Sequence, residues 1–297
     1  SEQNFGCEFW GEKTWEKSES KIIKETVNSV ISKSGIASSE IEYCFAGDLL
    51  NQCISSSFGL RELNIPFLGI FGACSTFVEG LSLGAIVTEA CAKHVLCAAS
   101  SHFCSAEKQF RFPLELGNQR PPTSQWTVTG SGATILSKDG TGPFITNITL
   151  GKIVDMGIKD ANNMGAAMVP AFADTLLTHF ADTGRNPSYY DAIISGDLGK
   201  IGKEIAIDIA MSKGYNIKSN YNDCGLMIFD TKAQDTHAGG SGCACCGSVF
   251  SGFLFKQLKK KKIKKLLLIA TGALMNSTSS QQGESIPGIA HAVSIEL

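Results

Sequence analysis

The sequence lacks any apolar run near the roughly 18 residues that a membrane-spanning helix requires. The longest candidates, 95–100 and 266–274, are short enough to be buried strands. A dominant charge is also missing. There are 26 Lys and Arg against 28 Asp and Glu, leaving −2, so nothing draws the whole chain to nucleic acid or an anionic surface. No secretory leader is expected, and the 11 cysteines are odd in number and scattered through apolar stretches. That pattern speaks against a disulfide framework and for reduced thiols. Cys243, Cys245 and Cys246 lack the paired spacing of a metal site and are read as small packing residues. The glycines at 239–242 are not followed by the Lys-Ser/Thr of a phosphate-binding loop.

Apolar residues make up 43% of the chain, enough for a sizeable core. The 31 glycines predict many tight turns. Ile22, Ile23, Val27, Val30 and Ile31 mark one face of a helix over 15–34, stopped by Gly35. Strands are expected at 41–46, 65–71 (buried), 94–100, 127–137, 144–153, 190–195, 224–229, 266–270 and 289–296. Helices are expected at 51–63, 75–92, 166–182, 201–213 and 244–258, and a polar loop at 105–125. Strands alternating with helices predict a mainly parallel sheet covered on both faces. Glycine and proline cluster at 139–143, the best boundary, giving halves 1–140 and 141–297.

The halves repeat each other. Phe45-Ala46-Gly47-Asp48-Leu49 matches Ile194-Ser195-Gly196-Asp197-Leu198, each at a strand end. Ala73-Cys74 matches Ala244-Cys245. Twenty-six positions separate Cys74 from Ser100, and Cys245 from Thr271. A period near 150 residues is a domain duplication and not a solenoid. The second half opens on a strand with no convincing counterpart before residue 15, so a first strand is expected to be lost or poorly supplied by 1–14. The chain starts at Ser1 without a Met, which fits a trimmed piece.

Two such halves, with Gly72-Ala73-Cys74-Ser75-Thr76 at a strand-to-helix turn, resemble the thiolase and ketoacyl-synthase superfamily. That resemblance implies an α/β fold of two duplicated halves stacked in five α-β-α-β-α layers, with Cys74 at the functional pocket. Ala46-Gly47-Asp48-Leu49-Leu50-Asn51-Gln52, Phe71 to Thr76, Ser100-Ser101-His102, Ala106 to Pro113 and Thr127 to Ala133 more closely resemble the stage V sporulation protein AD family. Asp223 to Leu226, Ala238 to Cys245, Ala270 to Leu274 and Ile289-Ala290-His291 extend the likeness along nearly the whole chain. It implies binding of dipicolinic acid (pyridine-2,6-dicarboxylate), free or as a calcium chelate, for loading into the developing spore and release on germination. It also implies membrane-embedded partners (SpoVA-type channel proteins), a place in the cytoplasm or against the spore inner membrane, a possible homodimer by fold analogy, and no cofactor of its own.

At a helix start, backbone N–H groups and the helix dipole stabilise a thiolate and lower its pKa, so Cys74 suits an acyl-accepting nucleophile. The same groups would bind a carboxylate, and Ser75 joins Cys74 as a candidate contact. A buried, inert thiol is the plainer reading. A condensing enzyme also needs a proton acceptor and oxyanion donors. The Gly-His-Pro of thiolases and the His and Asn of related synthases are both missing from the second half. Thr271-Gly272-Ala273-Leu274 stands where thiolases carry a late cysteine loop, and His237 reads as surface. These losses favour binding over a Cys74-dependent acyltransferase or condensing enzyme. Candidate ligand contacts are Cys74, Ser75, His102, Arg111, Asp223 and His291. His102 and His291 would hydrogen-bond a carboxylate, or be ordinary core or surface histidines. Arg111 would pair bidentately with a carboxylate, or make a surface contact. Asp223 would reach a calcium ion carried by the ligand. Asp48 and Asp197 read as turn or capping residues. Seven lysines between 256 and 265 read as a solvated helix end, or as a contact for anionic lipid or a partner.

Overall fold

The computed structural model describes residues 9–111 and 120–297. Helix α1 (Trp15–Ser34) ends at Gly35, whose left-handed φ of 71° closes the helix at no side-chain cost. It is followed by β1 (Tyr43–Gly47), α2 (Ile54–Leu60), β2 (Phe67–Gly69), α3 (Thr76–Ala90), β3 (His94–Ser101), α4 (Phe103–Arg111), β4 (Trp126–Thr127) and β5 (Gly130–Ser137). The second run comprises β6 (Phe144–Thr149), α5 (Met164–Thr183), β7 (Ala192–Ser195), α6 (Gly199–Ser212), β8 (Tyr221–Asp223), α7 (Cys224–Met227), β9 (Gly240–Ser241) and α8 (Cys243–Val249). A π-helical turn (250–254), α9 (Phe255–Lys259), β10 (Lys265–Ala273), α10 (Ser277–Gln281) and β11 (Gly288–Glu296) complete it.

The strands form sheets ordered β2-β1-β3-β5 and β6-β11-β10-β7-β8, besides a small β4-β9 pair. β1 plays in its sheet the part that β7 plays in the other, with β2 answering to β8, β3 to β10 and β5 to β11. β6 has no counterpart in the first sheet among the described residues. α3 and α8 pack between the sheets, α1 and α2 cover the outer face of the first, and α5 and α6 that of the second. This is the duplicated α-β-α-β-α sandwich. Its middle is apolar: Phe77, Val78, Leu81, Val95, Ala244, Val249, Leu254 and Leu268 form one cluster that joins the halves.

Several local expectations need correction. The sheets are mixed, because β5 runs antiparallel to β3, and β11 antiparallel to both β10 and β6. Residues 224–229 are not a strand. β8 stops at Asp223 and a helical turn follows. An apolar run of that length carries no period to tell the two apart. β2 is not buried but an exposed sheet edge, with Phe67 and Leu68 open to solvent. The expected loop at 105–125 starts as helix α4, whose Ala106 faces the core. The equal 26-residue spacing is not an equal placement: Cys74 stands two positions before α3, whereas Cys245 lies inside α8.

Candidate functional site

The segment 70–76 folds as a tight knot at the end of the first sheet. Ile70 N–H donates to Ala46 O (3.0 Å), Ser75 N–H to Gly72 O (3.0 Å) and Thr76 N–H to Ala73 O (3.2 Å). The side chains repeat these bonds, with Ser75 Oγ donating to Gly72 O (2.7 Å) and Thr76 Oγ1 to Ala73 O (2.6 Å). Ala73 takes a left-handed φ of 50°, strained for a residue with a Cβ. That strain is held by the knot and sets Cys74 at the seam between the halves.

Cys74 Sγ lies 3.6 Å from Ser241 Oγ. Ser241 Oγ donates to Asp197 Oδ2 at 2.8 Å, and Gly242 N–H to the same oxygen at 3.1 Å. Thr271 Oγ1 donates to Asp197 Oδ1 at 2.9 Å, and the carboxyl neighbours the Cys74 thiol. Cys243 Sγ donates to Ala73 O at 2.9 Å. Gln125 Nε2 donates to both Asp197 O (2.6 Å) and Gly240 O (2.9 Å), strapping the segment before β4 across the second half. Asp197 is thus the hub on which Cys74, Ser241, Thr271 and Gly242 converge.

The electrostatics run against a thiolate. Burial pushes the Cys74 thiol well above its ordinary range, and the neighbouring Asp197 carboxylate adds to the shift. The helix-start argument therefore fails here, and for two reasons. Desolvation outweighs the dipole, and the N–H groups of Ser75, Thr76, Val78 and Glu79 are already taken by the carbonyls of Gly72, Ala73 and Ser75. Asp197, also buried, is itself raised by burial against the lowering effect of the groups that donate to it.

A pocket opens over Cys74. Leu49, Phe71, Ala73, Ala106, Glu107, Phe110 and Thr127 line it from one run of strands, and Met164, Ser241, Gly242, Ala273 and Met275 from the other. The lining is mostly apolar and, among the described residues, has a single carboxylate, Glu107, and no cation or histidine. All five histidines lie among the described residues and are engaged elsewhere. His94 meets Ser137, His179 sits between Thr149 and Tyr190, and His237 contacts Asp235 and Pro121 O.

Of the sequence candidates whose side chains are described, only Cys74 lines the pocket. Ser75 is buried in the knot. His102 is buried, its Nδ1 accepting from Cys104 N–H at 3.1 Å. His291 Nδ1 accepts from Gly151 N–H at 3.2 Å, away from the lining. Asp223 is buried too, and accepts from Ser195 Oγ (2.6 Å), Leu198 N–H (2.8 Å) and Gly199 N–H (3.0 Å). It fixes the turn into α6. Burial raises its carboxyl to about 6. Arg111 closes α4, the helix that carries Glu107 and Phe110 to the mouth, and its side chain lies outside the described residues, as does 112–119. Ser241, Leu49, Glu107, Met164 and Met275 gave no signal of their own. Asp197 did, through its repeat match with Asp48, although capping was the expected role. Asp48 keeps to that role, accepting from Leu50 N–H (2.9 Å) and from Ser56 N–H (2.8 Å) and Oγ (2.7 Å). Among the described residues no group of His, Cys, Asp and Glu is arranged to hold a metal.

The fold is that of the thiolase-like condensing enzymes. 3-Oxoacyl-[acyl-carrier-protein] synthase III of Aquifex aeolicus superposes with a TM-score of 0.60 at 12% identity, over 96% of this chain and 85% of that one. OleA of Xanthomonas campestris gives 0.62 at 11%, over 94% and 81%. The synthase III of Pseudomonas aeruginosa gives 0.57 at 12%, over 94% and 83%. At such identities the likeness shows the fold alone. The family is settled by sequence: the model of stage V sporulation protein AD matches residues 4–296. Stage V sporulation protein AD of Bacillus subtilis (strain 168) is 44% identical over 286 residues, 96% of this chain and 84% of that protein. The chain belongs to the stage V sporulation protein AD family.

Proposed function

We propose that this chain binds dipicolinic acid in the pocket over Cys74 and does no covalent chemistry on it. The observation that carries the reading is the setting of Cys74. Its thiol is held neutral against Asp197 and Ser241, with no histidine on the pocket wall to take its proton. A nucleophile needs that base or a lowered pKa. Family membership supports the ligand, since dipicolinate binding for spore loading and release is what the resemblance implies. Phe71, Phe110, Met164 and Met275 offer apolar walls to a flat ring.

The lining also bears on the ligand's form. A free dianion would meet the Asp197 carboxyl behind Cys74, which is unfavourable to negative charge. A calcium chelate hides its carboxylates and presents a hard cation that accepts carboxylate oxygen. The proposal takes the chelate as the favoured form. Arg111, on α4, is the candidate partner for the free acid. The proposal includes work beside membrane-embedded channel proteins as a peripheral component, since no described helix is long and apolar enough to cross a membrane. It also includes a homodimer formed over the exposed β2 edge.

Calorimetric titration with dipicolinate, with and without calcium, tests this reading. Saturable binding is expected, tighter with calcium. Incubation with acyl-CoA followed by mass spectrometry tests the rival. A stable acyl adduct lost in Cys74→Ala would make the chain an acyl-transferring enzyme.

A further inference from the structure

The helical stretch from α8 through the π-helical turn to α9 divides sharply into two faces. Phe250, Leu254 and Leu258 are buried in the core between the sheets. On the outward side Gly252, Phe253, Phe255, Lys256, Lys259 and Lys260 are exposed. Phe253 and Phe255 keep 48% and 37% of their surface open, a costly placement for two large apolar rings so close together. The chain then turns at Lys261, whose left-handed φ is 56°, and Lys261, Lys262 and Lys264 continue the exposed run into β10.

A helix end attracts cations through its dipole, but that effect fades beyond the last turn. Only Lys256 and Lys259 lie in that turn. Lys260, Lys261, Lys262 and Lys264 lie past it, so the dipole does not account for them. None of the six exposed lysines is in an ion pair among the described residues, although the chain has an excess of acidic groups. The patch is a concentration of unneutralised positive charge edged by two open phenylalanines.

We infer that this surface docks the protein onto an anionic lipid bilayer, the lysines meeting the headgroups and Phe253 and Phe255 entering the interface. Basic residues interleaved with phenylalanine on an exposed helical face are what such a surface binds. Every cation of the run is Lys, a point charge suited to a diffuse anionic field. The planar Arg fork used to read phosphates and base edges is absent from it. The two rings have no hydrogen-bonding role, and burial in the acyl boundary removes their contact with water. The inference stands apart from the pocket and from the ligand proposed for it.

The full chain is sedimented with vesicles of phosphatidylcholine alone or with phosphatidylglycerol added. Binding is expected only to the anionic vesicles, weakening as salt rises. Each lysine removed in Lys259→Gln, Lys260→Gln and Lys262→Gln is expected to lower the partition about fivefold. The pair Phe253→Ser and Phe255→Ser should weaken binding while its salt dependence stays unchanged. Absence of binding to anionic vesicles at low salt overturns the inference, as does equal binding by the lysine variant. Displacement from vesicles by a single-stranded oligonucleotide whose own binding ignores the phenylalanine changes would assign the patch to nucleic acid instead.

Discussion

At the scale of single residues, two buried acids decide what the chemistry can be. Asp197 shares its two oxygens among Ser241, Gly242 and Thr271 and faces the Cys74 thiol. Cys74 is therefore expected to alkylate slowly with iodoacetamide at neutral pH, far more slowly than exposed Cys91, because the thiolate is the reactive form. Asp197→Asn removes the carboxylate but leaves the burial, so the Cys74 rate should rise only in part. A Cys74 that reacts as fast as Cys91 in the unaltered protein would contradict this. The second acid is Glu19 on α1, fully enclosed, accepting from Ser100 Oγ (3.0 Å) and Ser105 Oγ (2.7 Å). Burial, with the Asp48 charge nearby, raises it from 4.5 to about 8. The folded state then holds a proton that the unfolded chain releases, so stability falls as pH rises from about 4.5 through about 8. Glu19→Gln should flatten the fall of melting temperature across that window. An unchanged slope would remove Glu19 as its source.

At the scale of elements, close backbone contacts hold the layers in register. A Cβ on Gly132 of β5 would lie 2.2 Å from the Gly247 carbonyl carbon of α8. The helix can approach the strand so closely only because both positions are glycine. Gly132→Ala should destabilise by about 1–3 kcal/mol or more, read from denaturant midpoints at unchanged m-value. The edge strand β2 makes a different demand. Among the described residues it pairs only with β1, its three residues are exposed, and Phe58 and Phe71 lie open nearby in the sequence. Native edges of this kind are normally covered. Light scattering is expected to report a dimer that Leu68→Lys converts to monomer, and a monomeric unaltered chain would exclude the β2 interface.

Long periodic elements were legible in the sequence because burial writes its period directly. α1 carries its apolar face at Ile22, Ile23 and Val27, and α3 and α5 lie within two or three residues of expectation. Short apolar runs were not legible: 224–229 was read as a strand and β2 as buried, since a run of four to six residues does not reveal which neighbour covers it. At the site, the turn holding Cys74 was legible from Gly72-Ala73-Cys74-Ser75, while Asp197 stood out through its echo of Asp48 but was read as a capping residue. The rest was not legible. Ser241 reaches Cys74 across 167 positions of sequence, and Met164 and Met275 line the pocket through tertiary packing alone. His291 and Asp223 look like ligand groups in a linear reading, yet are occupied by Gly151, Ser195 and the turn into α6.

At the scale of the molecule, the two related halves meet at a seam, and the pocket lies there. Gly272 of β10 packs against the Cys74 knot, a Cβ there lying 2.1 Å from Gly72 O, so the central strand of the second sheet braces the loop that follows β2 of the first. The solved condensing enzymes share this frame. Here the frame closes around a neutral thiol and a largely apolar cavity, which suits holding a small aromatic acid. The most direct measurement is a titration of dipicolinate, with calcium present, into the unaltered protein and into Met275→Trp. Met275 is only partly buried at the pocket wall, so the larger ring is expected to fill the cavity with little effect on the melting temperature. Stoichiometric binding to the unaltered chain, weakened at least tenfold, about 1.4 kcal/mol, in Met275→Trp, is the expected result. No saturable binding to the unaltered chain at millimolar ligand, or equal binding by both, would contradict the assignment.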